Sequence, residues 1–121
     1  MLRLRQGSEL GLTLPGPGSA SPFDAEGFLL RLDDWDEALA QRLAGAAGIS
    51  LTPAHWEIIY LVRRFYAQYK LAPAMRPLVQ FARRQLGPEK GQSLYLMQLF
   101  PGGSAKLVCK IAGLPKPDNC L

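Results

Sequence analysis

The stretch from Thr52 to Tyr69 constrains this chain more than any other. Thr52 is a capping residue, and Pro53 suits the first helical position, where its missing N–H leaves no bond unmade. Behind them Ile58, Leu61, Val62, Phe65 and Tyr69 recur at helical spacing along one face. Trp56, Ile59 and Tyr60 widen that apolar surface, so this helix is expected at the centre of the fold. Arg63, Arg64 and Gln68 mark its wetter side.

Such a face needs other helices to cover it, and punctuation along the chain supplies them. Asp33 or Asp34 is a suitable cap for a helix over Trp35 to Ala47, stopped by Gly48, with Leu39 and Leu43 facing inward. Pro73 opens a third helix; Pro77 falls near its first turn, Leu78, Phe81 and Ala82 give the inner face, and Gly87-Pro88 ends it. Leu94 to Phe100 reads as a short fourth helix, started near Ser93 and stopped by Pro101-Gly102-Gly103. Ser104 is expected to cap a fifth that runs to Ile111 or Ala112 and stops at Gly113. Ahead of these, Leu2–Leu4 and Phe28–Leu32 suggest two short strands that could pair across a loop rich in Gly, Pro and Ser. Pro115 and Pro117 keep the tail irregular. The expected fold is therefore mainly α: a small helical bundle with a short N-terminal β-hairpin and an irregular, mobile C-terminal arm. One domain is expected over 1–121, with 1–23 as a variable strand and loop and 112–121 as the arm.

Composition narrows the function. Fourteen basic against ten acidic residues leave a net charge of +4, a balance that many ordinary domains carry. No stretch approaches the ~20 apolar residues of a membrane span, and the N-terminus lacks the apolar core of a secretory signal, so a cytoplasmic location and no membrane insertion are expected. One histidine and two cysteines cannot furnish a usual four-ligand zinc site without carboxylates. Neither a phosphate-binding glycine loop nor a nucleophile elbow is present, so no metal or bound cofactor is expected. Residues 53–86 can be drawn as a helix–turn–helix pair, which admits a redox-sensitive DNA-binding regulator, although ordinary helix packing explains the same pattern. His55 and Trp56, at a helix start, read as capping and core residues.

The chemistry concentrates at the end, in CKIAGLPKPDNCL. Cys120 is the penultimate residue, where a chain has little core to join, so its thiol is expected to be exposed and able to enter another protein. Cys109 lies one Gly/Pro segment upstream. The thiolate is the reacting form, and Lys106, three residues before Cys109, can share its helix face and favour it. Gly113 permits a reversal that would bring the two thiols together. A disulfide closing that short loop would stabilise by roughly 3 kcal/mol in a chain-entropy model. A bridge holding one extra sulfur fits the same spacing.

These residues resemble the DsrC/TusE family of sulfur-relay proteins. The arm CKIAGLPKPDNCL carries the resemblance, with GFLLRLDDW at 27–35, GISLTPAHWEII at 48–59, RRFYAQYKLAPAMRPLV at 63–79 and LGPEKGQSLYLMQLFPGG at 86–103. The resemblance implies that Cys120 accepts and passes sulfur as a persulfide. In the DsrC branch a second arm cysteine, here Cys109, joins it, and the pair works with dissimilatory sulfite reductase through a trisulfide later reduced by a membrane-bound complex. The TusE branch, typically with the penultimate cysteine alone, takes sulfur from TusBCD/DsrEFH-like donors and relays it toward tRNA 2-thiouridine, an indirect link to nucleic acid. Possession of both thiols resembles DsrC more closely. Arg76, Lys90, Lys106, Lys110 and Lys116 match basic positions of the family pattern and would bind the arm's carboxylate, a sulfur oxyanion or an acidic partner surface. The chain departs from the pattern in its longer N-terminal segment and in Ser104, where the family usually has proline.

Overall fold

A computed structural model describes residues 21–118. Among them five helices come after a single 3-10 turn at Leu32–Asp34: α1 (Glu37–Ala46), α2 (Pro53–Tyr69), α3 (Met75–Leu86), α4 (Ser93–Leu99) and α5 (Ser104–Ile111).

Helix α2 keeps the boundaries its sequence demands. Its start is secured by His55, whose Nδ1 accepts the Thr52 N–H at 3.1 Å. The other ring nitrogen, Nε2, lies 2.9 Å from the Leu99 carbonyl, an acceptor only, so the imidazole proton belongs on Nε2. The buried His55 thus ties the start of α2 to the end of α4. Three other helix starts are displaced. Asp36, not Asp33 or Asp34, caps α1 by accepting the Leu39 N–H at 2.8 Å, because Asp33 and Asp34 are used in the 3-10 turn. Helix α3 begins at Met75 instead of Pro73. Gly103 occupies the cap position of α5; Ser104 is its first helical residue and donates its hydroxyl to the Phe100 carbonyl at 2.8 Å.

Helix α2 lies in the core as expected, burying His55, Ile58, Ile59, Leu61, Val62 and Phe65, but it is not the helix that meets all the others. That place belongs to α5, which packs against α1, α2, α3 and α4. Its Ala105, Val108, Cys109 and Ile111 meet Ile58, Leu61 and Val62 of α2, Leu78 and Phe81 of α3 and Leu96 of α4 in one continuous apolar core.

The expected hairpin does not form over Phe28–Leu32. A lone antiparallel bridge joins Phe23 and Leu29, and the chain then enters the 3-10 turn. The reason lies in the pattern: Phe28 and Leu29 are both buried while Leu30 is 57% exposed, so inward residues are neighbours and do not alternate as a half-buried strand requires. Leu2–Leu4, the proposed partner strand, lies outside the described residues. The expected looseness of the arm from residue 112 also needs correction. Ala112, Gly113, Leu114 and Pro117 are buried, and Ala112 and Leu114 belong to the core. Hydrophobic burial holds the first part of the arm against the bundle despite its lack of regular structure. No helix among the described residues is long and apolar enough to cross a membrane.

Candidate functional site

The arm leaves α5 through a tight reversal. The Gly113 N–H donates to the Lys110 carbonyl at 3.2 Å and the Leu114 N–H to the Cys109 carbonyl at 3.0 Å. Gly113 has a φ of +77°, and a Cβ there would stand 2.5 Å from Cδ1 of Trp35. Only glycine meets both conditions without strain.

Two side chains from elsewhere hold the carbonyls at this point. Trp35 Nε1 donates to the Ile111 carbonyl at 2.8 Å, and Arg63 Nη1 to the Ala112 carbonyl at 2.6 Å. The Arg63 guanidinium also stacks over the Trp35 ring, 3.8 Å from its centre. Burial pushes the Arg63 pKa below its ordinary value, an effect opposed by the nearby Tyr60 phenol. Tyr60 meets Trp35 edge-on, stacks with Trp56 and donates its hydroxyl to Glu37. That hydrogen bond, foremost, raises the Tyr60 pKa, with desolvation adding to it. Sequence reasoning places Arg63 on the wet side of α2. A signal against that was present: Arg63 comes four residues after Ile59 and three after Tyr60, so it borders the apolar face.

Cys109 is fully buried. Its thiol donates to the Pro73 carbonyl at 3.8 Å, in the loop between α2 and α3. Pro73 is itself buried, and its neighbours Leu71, Ala72 and Ala74 line an open groove of about 1090 Å³. Met75, Arg76 and Gln80 of α3 continue that groove, and Asp118 of the arm lines it too. The described arm thus ends beside the loop that covers Cys109. Cys120 lies outside the described residues.

The basic residues divide into separate groups. Arg76 is exposed in the groove with Asp118. Lys106 and Lys116 converge on Glu26, at 3.8 and 3.1 Å, and the Lys110 ammonium sits 5.0 Å from the centre of the Phe28 ring. The ammonium of Lys106 is therefore engaged by Glu26 at the surface while the Cys109 thiol is turned to Pro73. Lys90 pairs with Glu57 at 2.7 Å, a hydrogen bond that raises its pKa. Glu26 is set by a turn in which Asp24 Oδ1 accepts the N–H groups of Glu26 and Phe28, both at 2.9 Å.

Comparison with known proteins agrees with this architecture. The family model described as "DsrC like protein" matches residues 17–121. The curated "Sulfurtransferase TusE" of Sodalis glossinidius is 52% identical over 104 residues, covering 86% of this chain and 96% of that relative. The protein of the same name from Escherichia coli is 49% identical over 98 residues, 81% of this chain and 90% of its own length. Among solved structures, Allochromatium vinosum DsrC superposes with a TM-score of 0.74 at 45% identity, over 82% of this chain and 88% of that one. The oxidized gamma-subunit of dissimilatory sulfite reductase (DsrC) from Archaeoglobus fulgidus gives 0.69 at 39% identity, over 82% and 90%.

Proposed function

The chain belongs to the DsrC-like family, and from that premise we propose that it is a sulfur carrier that works through Cys120 and Cys109 as a co-substrate of dissimilatory sulfite reductase. The observation that carries the reading is the path of the arm. It is rooted at the end of α5 and reaches, at Asp118, the groove beside the loop over Cys109. Cys120 is two residues further on, a reach of about 7 Å. The proposed chemistry needs a thiol within that reach of the groove.

The chemistry is thiolate exchange. The Cys120 thiolate attacks the outer sulfur of a donor persulfide, and the donor thiolate leaves. Cys120 now carries the persulfide, and an acceptor thiolate can take its outer sulfur and return Cys120 to the thiolate. Alternatively Cys109 attacks the inner sulfur, which expels hydrosulfide and leaves a Cys109–Cys120 disulfide. No electrons are gained or lost overall. Because Cys109 is buried, this branch requires the loop at 71–74 to open toward the groove. Arg76, on the groove wall, is suited to hold the terminal carboxylate or a sulfur oxyanion. Lys106, Lys110 and Lys116 are suited to an acidic partner surface.

A second reading, a TusE-type relay toward tRNA 2-thiouridine, is favoured by the relatives named TusE at about half identity and by the burial of Cys109. There Cys109 would be a core residue and Cys120 the sole carrier. One experiment separates the two. The protein is loaded with a persulfide donor, freed of excess, and monitored for released hydrosulfide and for the disulfide. Release of hydrosulfide with disulfide formation, both lost in Cys109→Ala, is the expected result. Stable loading without release, unchanged by Cys109→Ala, would replace it with the relay.

A further inference from the structure

We propose that the pocket between Met75 and Met97 is a docking site for an acidic segment of a partner protein, which seats one apolar side chain in the pocket and sets carboxylates against Lys106 and Arg76. The proposal stands apart from the sulfur-carrier reading, which calls for partners but gives none of them a pocket.

The pocket has a volume of about 480 Å³. Its walls are Met75 of α3, Met97 of α4 and the Pro101-Gly102-Gly103 turn into α5, and Lys106 of α5 borders it. A Cβ built on Gly102 or Gly103 would meet nothing within 4 Å, so the turn presents bare backbone to open space. Ser104, which also lines the pocket, is buried and gives its hydroxyl proton to the Phe100 carbonyl. The recess is therefore mainly apolar. Its surroundings are apolar too: Met97 is 49% exposed, and Leu94, one turn earlier on α4, is 62% exposed. An open apolar recess beside exposed apolar side chains is a feature of recognition surfaces. The unbranched thioether of methionine can adapt to an entering side chain.

Charge identifies the occupant. From Ile58 to Pro117 the chain has ten basic residues and a single acidic one, Glu89. Among the described residues no carboxylate lines the pocket. Arg76, directly after Met75, is exposed and forms no ion pair among the described residues. Lys106 has Glu26 only at 3.8 Å, longer than a hydrogen bond, so a partner carboxylate in direct contact competes well for it. A second copy of this chain would set the same basic surface against itself, and like charges across an interface are costly. Nucleic acid fits the charge but not the recess, whose lining residues include no aromatic side chain on which a base could stack. A protein segment with acidic residues around an apolar anchor satisfies both the recess and its charge.

The test uses the full chain with isotope-labelled methionine methyl groups; the sequence has only three methionines, so the Met75 and Met97 signals are assigned by single substitutions. The probe is a short synthetic peptide of aspartates and glutamates around a central leucine. Both methyl signals are expected to shift and to saturate as it is added. Serine in place of the leucine should weaken binding about tenfold or more. A peptide with lysines in place of the acidic residues should leave both methyls unmoved. Lys106→Gln should weaken binding of the acidic peptide about two- to fivefold. Met97→Glu, a change at an exposed position, should abolish the shift of the Met75 methyl, and Met97→Leu, which keeps an apolar wall, should retain it. No saturable shift at millimolar peptide would overturn the proposal. So would equal shifts with the serine or lysine peptide, or with an oligonucleotide of matched charge. Methyl shifts that follow protein concentration alone would give the pocket to a second copy and overturn it too. No sulfur donor is present and both cysteines are unchanged, so failure of sulfur loading and failure of docking are separate results.

Discussion

Gly113 and Gly48 share the same φ of +77°, which makes them a matched pair for measuring how tightly the arm's root is packed. A Cβ built on Gly48 meets nothing within 4 Å, whereas one on Gly113 stands 2.5, 2.7 and 2.8 Å from Cδ1, Cγ and Cβ of Trp35. Gly48→Ala therefore carries only the left-handed backbone cost, about 1–2 kcal/mol, reduced by about 0.4–1 because alanine stiffens the unfolded chain. Gly113→Ala carries the same term and adds an overpacking cost of about 1–3 kcal/mol. Trp35 cannot yield cheaply, because its ring is held by the Ile111 carbonyl on one side and by the Arg63 guanidinium on the other. Urea unfolding, with slopes that stay equal between variants, should place Gly113→Ala about 1–3 kcal/mol below Gly48→Ala. The two variants agreeing within about 0.5 kcal/mol would refute the close approach, and with it the rigid root of the arm.

The same geometry sets three further expectations. Leu114→Ala removes a fully buried side chain and should cost about 2–5 kcal/mol in urea unfolding; a loss under about 1 would mean that the arm's root lies outside the core. In a Cys120→Ala variant, Cys109 should react with a thiol reagent roughly a hundredfold more slowly in buffer than in urea, because reaction waits on local opening. Equal rates would contradict its burial. The Tyr60 hydroxyl bonded to Glu37 favours the protonated phenol in the folded state. Its contribution to stability should be complete below the ordinary tyrosine value near 10 and fade as pH rises through the raised one. In a phenolate absorbance titration, Glu37→Ala should bring one late-ionising tyrosine back down; a curve unchanged by the substitution would show that the hydrogen bond does not form.

The parts of this fold that are legible in sequence are those set by local signals. Thr52-Pro53 and a repeating apolar face define α2, while Gly87-Pro88 and the Pro101-Gly102-Gly103 run separate α3, α4 and α5. Where adjacent residues compete for one role, local reasoning slips: three aspartates precede α1, and only packing of the 3-10 turn decides that Asp36 is the cap. Pairings between distant residues carry no sequence period. Nothing local connects Trp35 with Ile111 or Arg63 with Ala112, so the arm's root reads as loose while the structure anchors it. The burial of Leu114 is similar, since a leucine between Gly and Pro has no helix or strand face to declare which way it points. Of the candidate site, Cys109 lies beneath the loop beside the groove and Arg76 lines the groove, while Lys90 and the Lys106–Lys116 pair are engaged elsewhere by Glu57 and Glu26.

The central claim is that sulfur travels on the last thiol of this chain. Intact-mass analysis of the Cys109→Ala protein, which has no second thiol to expel the loaded sulfur, after exposure to a persulfide donor tests it most directly. The expected result is a gain of one sulfur atom, reversed by a thiol reductant, mapped to the C-terminal peptide and abolished by Cys120→Ala. A protein that takes up no sulfur, or takes it up equally well without Cys120, would contradict it.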